Sequence, residues 1–266
     1  MLTDLRTRVG VALCVPLLLA AVSACDIVTA EFKSEETAEW RKSYELQPGG
    51  SVEVSNVNGK IEVEPSRGNT VEVVAVKVAK AGSPEAARQA LERIEIVDTS
   101  SPAAVKIETR VPRGGGLFQS GNTQVRYTVR VPASATTRFT TTNGGIEVMG
   151  LEGRVNLETT NGGIRARGIG GPIAAFTTNG GIEVDVTRVT ESGVKLGCTN
   201  GGISLRLPHD AKATISASVS NGGIDTSGLE LDTTESTRHR LEARLNGGGP
   251  NIRIEGTNGG ITIAAR

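Results

Sequence analysis

The residues best equipped for chemistry in this chain are three carboxylates, two histidines and one cysteine behind an apolar leader. Glu147, Glu183 and Asp225 occupy the same place in a repeated motif, so a regular fold would bring them to one face. Polysaccharide lyases and hydrolases built on β-helices use such acids, and glycoside hydrolysis needs a pair of them as acid and base or nucleophile. Arg165 and Ser204 interrupt the column, however, and a solvated charged face is the simpler reading. His209 follows a Pro corner and His239 sits in a charged stretch, and neither has Cys or His neighbours at metal-ligand spacing. No Gly-x-Ser-x-Gly elbow or phosphate-binding Gly-x-x-x-x-Gly-Lys loop occurs. Gly180-Gly181-Ile182-Glu183-Val184-Asp185 approaches a calcium-binding nonapeptide, but Glu183 stands where that motif needs Gly. The chain is therefore read as no enzyme, with no catalytic residue, metal site or cofactor.

Cys25 carries a different chemistry. Arg6 and Arg8 precede an apolar run from Val9 to Val22, and Val22-Ser23-Ala24-Cys25 reads as a lipobox. Residues 1–24 are then a lipoprotein signal peptide, and the Cys25 thiol carries a diacylglyceryl group. Residues 25–48 form the lipidated Cys and a tether running into a first strand, with Glu31, Lys33, Glu35 and Glu36 as exposed charges. Trp40 and Tyr44, four apart, suit either a sugar-stacking platform or packing against the end of the fold. The membrane is thus a partner through the lipid. The protein is placed in the cell envelope, on the outer side of the cytoplasmic membrane, which is the periplasmic side if there are two membranes. In enterobacterial lipoproteins an Asp after the Cys favours retention at the inner membrane, a resemblance Asp26 shares; the outer membrane is the alternative.

The outward acids are positioned by a repeat. Asn-Gly-Gly-Ile occurs six times, at Asn143, Asn161, Asn179, Asn200, Asn221 and Asn258, with intervals of 18, 18, 21, 21 and 37 residues. Asn and Gly both tolerate the left-handed region, which makes Asn-Gly a strong turn signal. After each Asn, the third and fifth residues are inward: Ile146 and Val148, Ile164 and Ala166, Ile182 and Val184, with Ile203, Ile224 and Ile261 continuing the first column. The residue between them is outward, which is the period of a strand with one buried face. Upstream, Thr137 and Phe139, Val155 and Leu157, and Ile173 and Ala175 repeat the alternation. A hydroxyl always precedes the Asn. Second corners fall at Gly150–Gly153 and Gly168–Gly171. Each unit has too little apolar surface to stand alone, so the expected fold is all-β: a β-solenoid, β-helix or β-roll of stacked coils with Asn-Gly-Gly corners. Stacking about 4.8 Å apart lets the Asn amides chain from coil to coil.

Two stretches modify this pattern. Asn58-Gly59-Lys60-Ile61 fits the template, with Val52 and Val54 before it, so the repeat begins near residue 50. Asn246-Gly247-Gly248-Gly249 is one residue out of phase and implies a hairpin or a bulged coil. Residues 49–133 read as an irregular β segment with strands near 94–98, 103–111 and 124–131 and a flexible loop at Gly114–Gly116. Ser83-Pro84-Glu85 starts a short helix over 84–93. Residues 134–266 form the repeat solenoid.

Composition narrows the class of partner. Lys plus Arg equals Asp plus Glu at 29 each, so nothing points to nucleic acid. Aromatics are 3% and Gly numbers 34 of 266 residues, which suits many tight corners better than one large core. Cys14 leaves with the leader and Cys25 is lipidated, so Cys198 is a small buried residue on the column of Thr159 and Thr177.

The lipobox leader, Val131-Pro132-Ala133, Thr142-Asn143-Gly144-Gly145-Ile146 and the repeats through Ile261 together resemble a bacterial adhesin-type domain family of unknown function. That family is related to the auto-transporter-adhesin head domain. The resemblance covers about residues 45–266 and implies a β-solenoid outside a membrane, with no catalytic or binding residue carried over. The expected function is a non-enzymatic, adhesin-like binding or structural scaffold for a glycan, cell-wall or envelope-protein ligand. The alternatives are an envelope-stress or regulatory component with a protein partner, and a carbohydrate-active β-helix enzyme.

Overall fold

The computed structural model describes residues 34–111 and 122–266. The leader, Cys25 and the Gly114–Gly116 loop lie outside the described residues. The described chain is nearly all β. It opens with β1 (Ser34–Glu45), β2 (Ser51–Ser55), β3 (Ile61–Ser66) and β4 (Thr70–Ala81), followed by helix α1 (Pro84–Glu92). Next come β5 (Glu95–Ser101), β6 (Ala104–Arg110) and β7 (Asn122–Pro132). The repeats supply β8 (Thr136–Asn143), β9 (Ile146–Met149), β10 (Val155–Asn161), β11 (Ile164–Ile169), β12 (Ile173–Asn179) and β13 (Ile182–Val186). They continue with β14 (Val194–Asn200), β15 (Ile203–Leu207), β16 (Ala213–Asn221) and β17 (Ile224–Ser227). β18 (Leu231–Ser236), β19 (Arg240–Leu245), β20 (Asn251–Asn258) and β21 (Ile261–Ala265) complete the chain.

These strands form two long sheets, one of ten strands in the order β1-β4-β7-β3-β9-β11-β13-β15-β21-β17 and one of eleven in the order β18-β19-β16-β20-β14-β12-β10-β8-β2-β6-β5. Each Asn-Gly-Gly-Ile stretch carries the chain from the larger sheet to the smaller, and such a strand pair makes one rung of a solenoid-like stack. Pairing between rungs is parallel and in register: Ile146, Ile164, Ile182, Ile203 and Ile261 form one column. All five are buried, as are Val148, Ala166, Val184, Leu205 and Ile263. Column mates at the last rung, Ile224 and Thr226, are half-buried and exposed, because β17 is the end of its sheet.

The repeat does reach back to Asn58, which bridges to Asn143, with β2 and β3 pairing β8 and β9 in parallel. Within the stretch read as a tether running into a first strand, Ser34–Glu45 is that strand, β1. It pairs antiparallel with β4 along its whole length, so main-chain hydrogen bonding outweighs its high charge. The helix begins as expected, with Ser83 Oγ accepting from the Ala86 amide at 3.2 Å.

The rungs are not stacked in chain order. β20 lies between β14 and β16, and β21 between β15 and β17. The C-terminal rung thus occupies an interior slot between the Asn200 and Asn221 rungs. The 37-residue interval is needed for the excursion out and back. It contains the hairpin of β18 and β19, and β19 runs antiparallel to β16. The out-of-phase Asn246 therefore sits in a turn at φ 49, outside the repeat, with its amide donating to the His209 and Ala211 carbonyls.

The register gives a direct expectation. Ile182→Ala should cost about 2–5 kcal/mol, because it opens a cavity between rungs that cannot collapse without breaking in-register pairing. Glu183→Ala should cost no more than about 1 kcal/mol, since its ion pairs are with exposed arginines. Denaturant titration of both variants checks this, and equal midpoint shifts would overturn the register.

Candidate functional site

The stack sorts the chemistry-bearing residues into parallel columns. The side-chain amides of the repeat asparagines form one continuous ladder, each Nδ2 donating to the next Oδ1. Asn143 donates to Asn58 at 2.7 Å, Asn161 to Asn143 at 2.7 Å and Asn179 to Asn161 at 2.8 Å. Asn200 donates to Asn179 at 2.9 Å, Asn258 to Asn200 at 2.8 Å and Asn221 to Asn258 at 2.9 Å. Two residues upstream, Thr159 and Thr177 are buried and donate at 2.9 Å to the Gly144 and Gly162 carbonyls of the preceding rung. Cys198 takes the same place, with Sγ 3.1 Å from the Gly180 carbonyl, and burial pushes its thiol above the ordinary range. It is a structural thiol, protected from reaction.

The two glycines of each motif do different work. An added Cβ on the first would stand 2.1 Å from the Gly59 carbonyl oxygen at Gly144, 2.0 Å from that of Gly144 at Gly162 and 2.2 Å from that of Gly162 at Gly180. Close stacking therefore requires this glycine. At the second, an added Cβ would be 3.3 Å from its nearest neighbour at Gly145 and 3.4 Å at Gly163 and Gly181, close to ordinary contact. None of these second glycines has a positive φ. Neither backbone conformation nor rung packing demands glycine there.

What the second glycines leave is a groove of about 710 Å³ crossing the outer face of the ten-stranded sheet. Gly145, Gly163, Gly181, Gly202 and Gly260 line it, together with the outward column Glu147, Arg165, Glu183, Ser204 and Thr262. At Asn58 the second glycine is replaced by Lys60. Its ammonium reaches over the same face, 2.6 Å from Glu62 and 2.9 Å from Glu147. A side chain at that position thus covers the strip that the glycines leave open.

The acids of this face are paired. Arg165 lies 2.8 Å from Glu147 and 3.1 Å from Glu183, and Arg167 lies 3.4 Å from Glu183. The hydrogen bond from Lys60 holds the Glu147 carboxyl below the usual glutamate range, and that from Arg165 does the same for Glu183. A lowered folded-state value means that the stabilisation is complete above the ordinary glutamate range and is lost as pH falls through the lowered values. Both groups stay ionised at neutral pH, the opposite of the raised carboxyl a general acid needs. Asp225 is further from them than chain order implies, because Thr262 of the inserted rung lies between it and Ser204.

The remaining sequence candidates are dispersed. Trp40 is half-buried and Tyr44 buried, both against the core, so they offer no open platform. His209 and His239 are exposed, and among the described residues no group of His, Cys, Asp or Glu could hold a metal ion. The Thr or Ser before each Asn of the six Asn-Gly-Gly-Ile motifs is exposed and forms a hydroxyl strip beside the ladder, which ends at Val57 before Asn58. On the opposite sheet Phe176 is exposed beside a cleft of about 230 Å³ with Arg138, Asn156 and Glu158. One exposed aromatic is ordinary on a protein surface, and the larger groove is the stronger candidate. Sequence reasoning missed the groove because it treated both glycines as turn residues; the signal was Lys60, which alone breaks the second column.

The family described as Toastrack DUF4097 matches the chain over residues 41–264. Among solved structures, the chain is similar to a candidate cell adhesion protein from Clostridium sporogenes. The identity is 11%, covering 86% of this chain and 100% of that one, with a TM-score of 0.47. A candidate adhesin from Bacteroides fragilis is 9% identical over 86% of this chain and 97% of its own, with a TM-score of 0.38. A candidate lipid-binding protein from Parabacteroides distasonis is 12% identical over 87% and 97%, with a TM-score of 0.33. Likenesses this distant say nothing about a ligand. No curated protein matches the chain.

Proposed function

The chain belongs to the Toastrack DUF4097 family, and from that premise we propose that it is a non-enzymatic envelope lipoprotein whose glycine-lined groove binds an extended polar chain, a glycan or cell-wall polymer. The observation that carries this reading is the second-glycine column, which keeps the groove open although the fold does not need glycine there. The groove runs across the strands, so a ligand lying in it meets an equivalent set of groups about every 4.8 Å. Its wall alternates in sign from Lys60 through Glu147 and Arg165 to Glu183 and then becomes hydroxylic at Ser204 and Thr262. That balance favours a neutral or mixed-charge polymer over a polyanion. The paired, ionised state of the acids supports binding rather than hydrolysis.

The anchor in this reading is the diacylglyceryl group on Cys25, which places the stack at the outer side of the cytoplasmic membrane. More than one acyl chain makes such attachment stable. Metabolic labelling with a palmitate analogue tests it: label on the native chain and none on Cys25→Ala, with release of the variant from membranes, is the expected outcome. Label retained by Cys25→Ala would refute the anchor.

The groove is tested by filling it. The double variant Gly163→Gln and Gly181→Gln should keep its melting temperature within a few degrees yet lose at least tenfold in affinity for isolated cell-wall glycans. That loss is about 1.4 kcal/mol or more. Undiminished binding would remove the groove from the proposal. A second reading, a protein partner, is favoured by the exposed edge strand β17, which could accept a strand. In-cell crosslinking from Thr262 and from Asp225 separates the two. Turnover of a glycan that is abolished by Glu183→Gln would replace both with an enzyme.

A further inference from the structure

The chain holds eight Asn-Gly dipeptides, the six repeats together with Asn58-Gly59 and Asn246-Gly247. Asn-Gly is chemically labile, because glycine has no side chain to keep its own amide nitrogen from the preceding carboxamide carbon. Reaction requires that nitrogen to be free of hydrogen bonds and the side chain free to turn towards it.

The stack denies both to most of the asparagines. Each motif's first glycine donates its amide to the Asn carbonyl of the next rung. Gly59 donates to Asn143, Gly144 to Asn161, Gly162 to Asn179, Gly180 to Asn200, Gly201 to Asn258 and Gly259 to Asn221, all at 2.8–2.9 Å. These backbone bonds run in one direction along the stack, and the side-chain ladder runs in the other. The two ends of the ladder are therefore unlike. At Asn58 the glycine amide is bound and the side-chain amide donates to the Thr123 carbonyl. At Asn221 no further Asn rung stacks among the described residues; Arg238 lies there instead, its carbonyl accepting from Ile224 and its Nε donating to the Gly222 carbonyl, while the Gly222 amide has no acceptor among the described residues. The Asn221 side chain is exposed and held by a single bond, from Nδ2 to Asn258. Asn246 also precedes an amide with no acceptor among the described residues, but two carbonyls at 2.9 and 2.8 Å hold its Nδ2.

We propose that Asn221-Gly222 is a self-modifying site, at which the protein converts Asn221 to aspartyl or isoaspartyl while its ladder mates are protected. The Gly222 nitrogen bonds to Asn221 Cγ, the Cγ–Nδ2 bond breaks, and ammonia leaves with the proton from the Gly222 amide. Water then opens the cyclic imide at either carbonyl. One water is consumed, one ammonia is released, and nothing is oxidised or reduced. The product carries a negative charge and has no N–H to donate to Asn258 Oδ1, so the last rung loses its side-chain tie. This inference stands on the ladder's polarity and is independent of the groove.

The test is to incubate the folded full chain at mildly alkaline pH, digest it with trypsin and quantify each Asn-Gly peptide by mass spectrometry. Ala213–Arg238 contains Asn221 alone among the eight, Val155–Arg165 contains Asn161, and Leu245–Arg253 contains Asn246. Asn221 should react about tenfold or more faster than Asn161, because Asn161 must first lose its hydrogen bonds. In denaturant the rates should converge. Equal rates at Asn221 and Asn161 in the folded chain, a faster Asn246, or an Asn221 excess that survives denaturation would each overturn the proposal.

Discussion

Gly162→Ala should collapse the stability of the stack, while Gly163→Ala, one residue along, should leave it almost untouched. The added methyl at Gly162 would lie 2.0 Å from the Gly144 carbonyl oxygen and 2.5 Å from its carbon. Both are backbone atoms of the adjacent rung, so no side chain can turn aside. Relief requires these two rungs to part, which also lengthens the Gly144-to-Asn161 backbone bond and the Thr159 hydroxyl bond to the Gly144 carbonyl. Overpacking alone typically costs about 1–3 kcal/mol, and with those bonds weakened a loss of about 3 kcal/mol or more is expected. Gly162 does not have a positive φ, so the effect isolates rung contact from backbone strain. At Gly163 the nearest atom is 3.4 Å away. Alanine there restricts the unfolded chain, a gain of about 0.4–1 kcal/mol that offsets slight crowding. Thermal melts of the two variants decide the matter, and similar losses would show that both glycines serve packing.

Ending the chain after Gly249 should unfold more than it removes. The deleted residues include Ile252, Ile254, Ile261 and Ile263, all buried to within about 1% of full burial. Each contributes roughly 1.5–3 kcal/mol, a sum comparable with the whole stability of an ordinary domain. Because the rung is interior, its loss also strips a neighbour from β14 and β15 on one side and from β16 and β17 on the other. Residues 208–249 should lose amide-exchange protection together, while β8 to β13 retain theirs. Retained protection in β16 would mean that the two flanking rungs close directly on one another.

Much of this fold was legible in the sequence because its period is imposed by geometry. Ile164 and Ile182 fall in one column only if strands repeat in register, and the buried partners Ala166 and Val184 follow from strand alternation. Rung order was not legible. Asn221 and Asn258 carry identical motifs, and nothing local distinguishes a rung that stacks at the end from one that inserts. The 37-residue gap was the trace of it. The candidate site was legible only in part: the outward acids could be located, but their pairing with Arg167 as well as Arg165 depends on side-chain reach between rungs. The groove arises from atoms that are missing, and a glycine in a turn motif is normally explained by the turn.

The inserted rung also sets a clock on synthesis. At about 5–20 residues per second, the interval from Asn221 to Asn258 takes roughly 2–7 s to translate. Throughout that time the Asn200 and Asn221 rungs have been made, and the piece that belongs between them has not. A nascent chain that joined its rungs in the order of their emergence would close the wrong pair and later have to reopen it. The segment from Asn251 to Ala265 therefore decides whether the stack is assembled or merely collapsed, and a chain that lacks it is the form most exposed to pairing with a stranger.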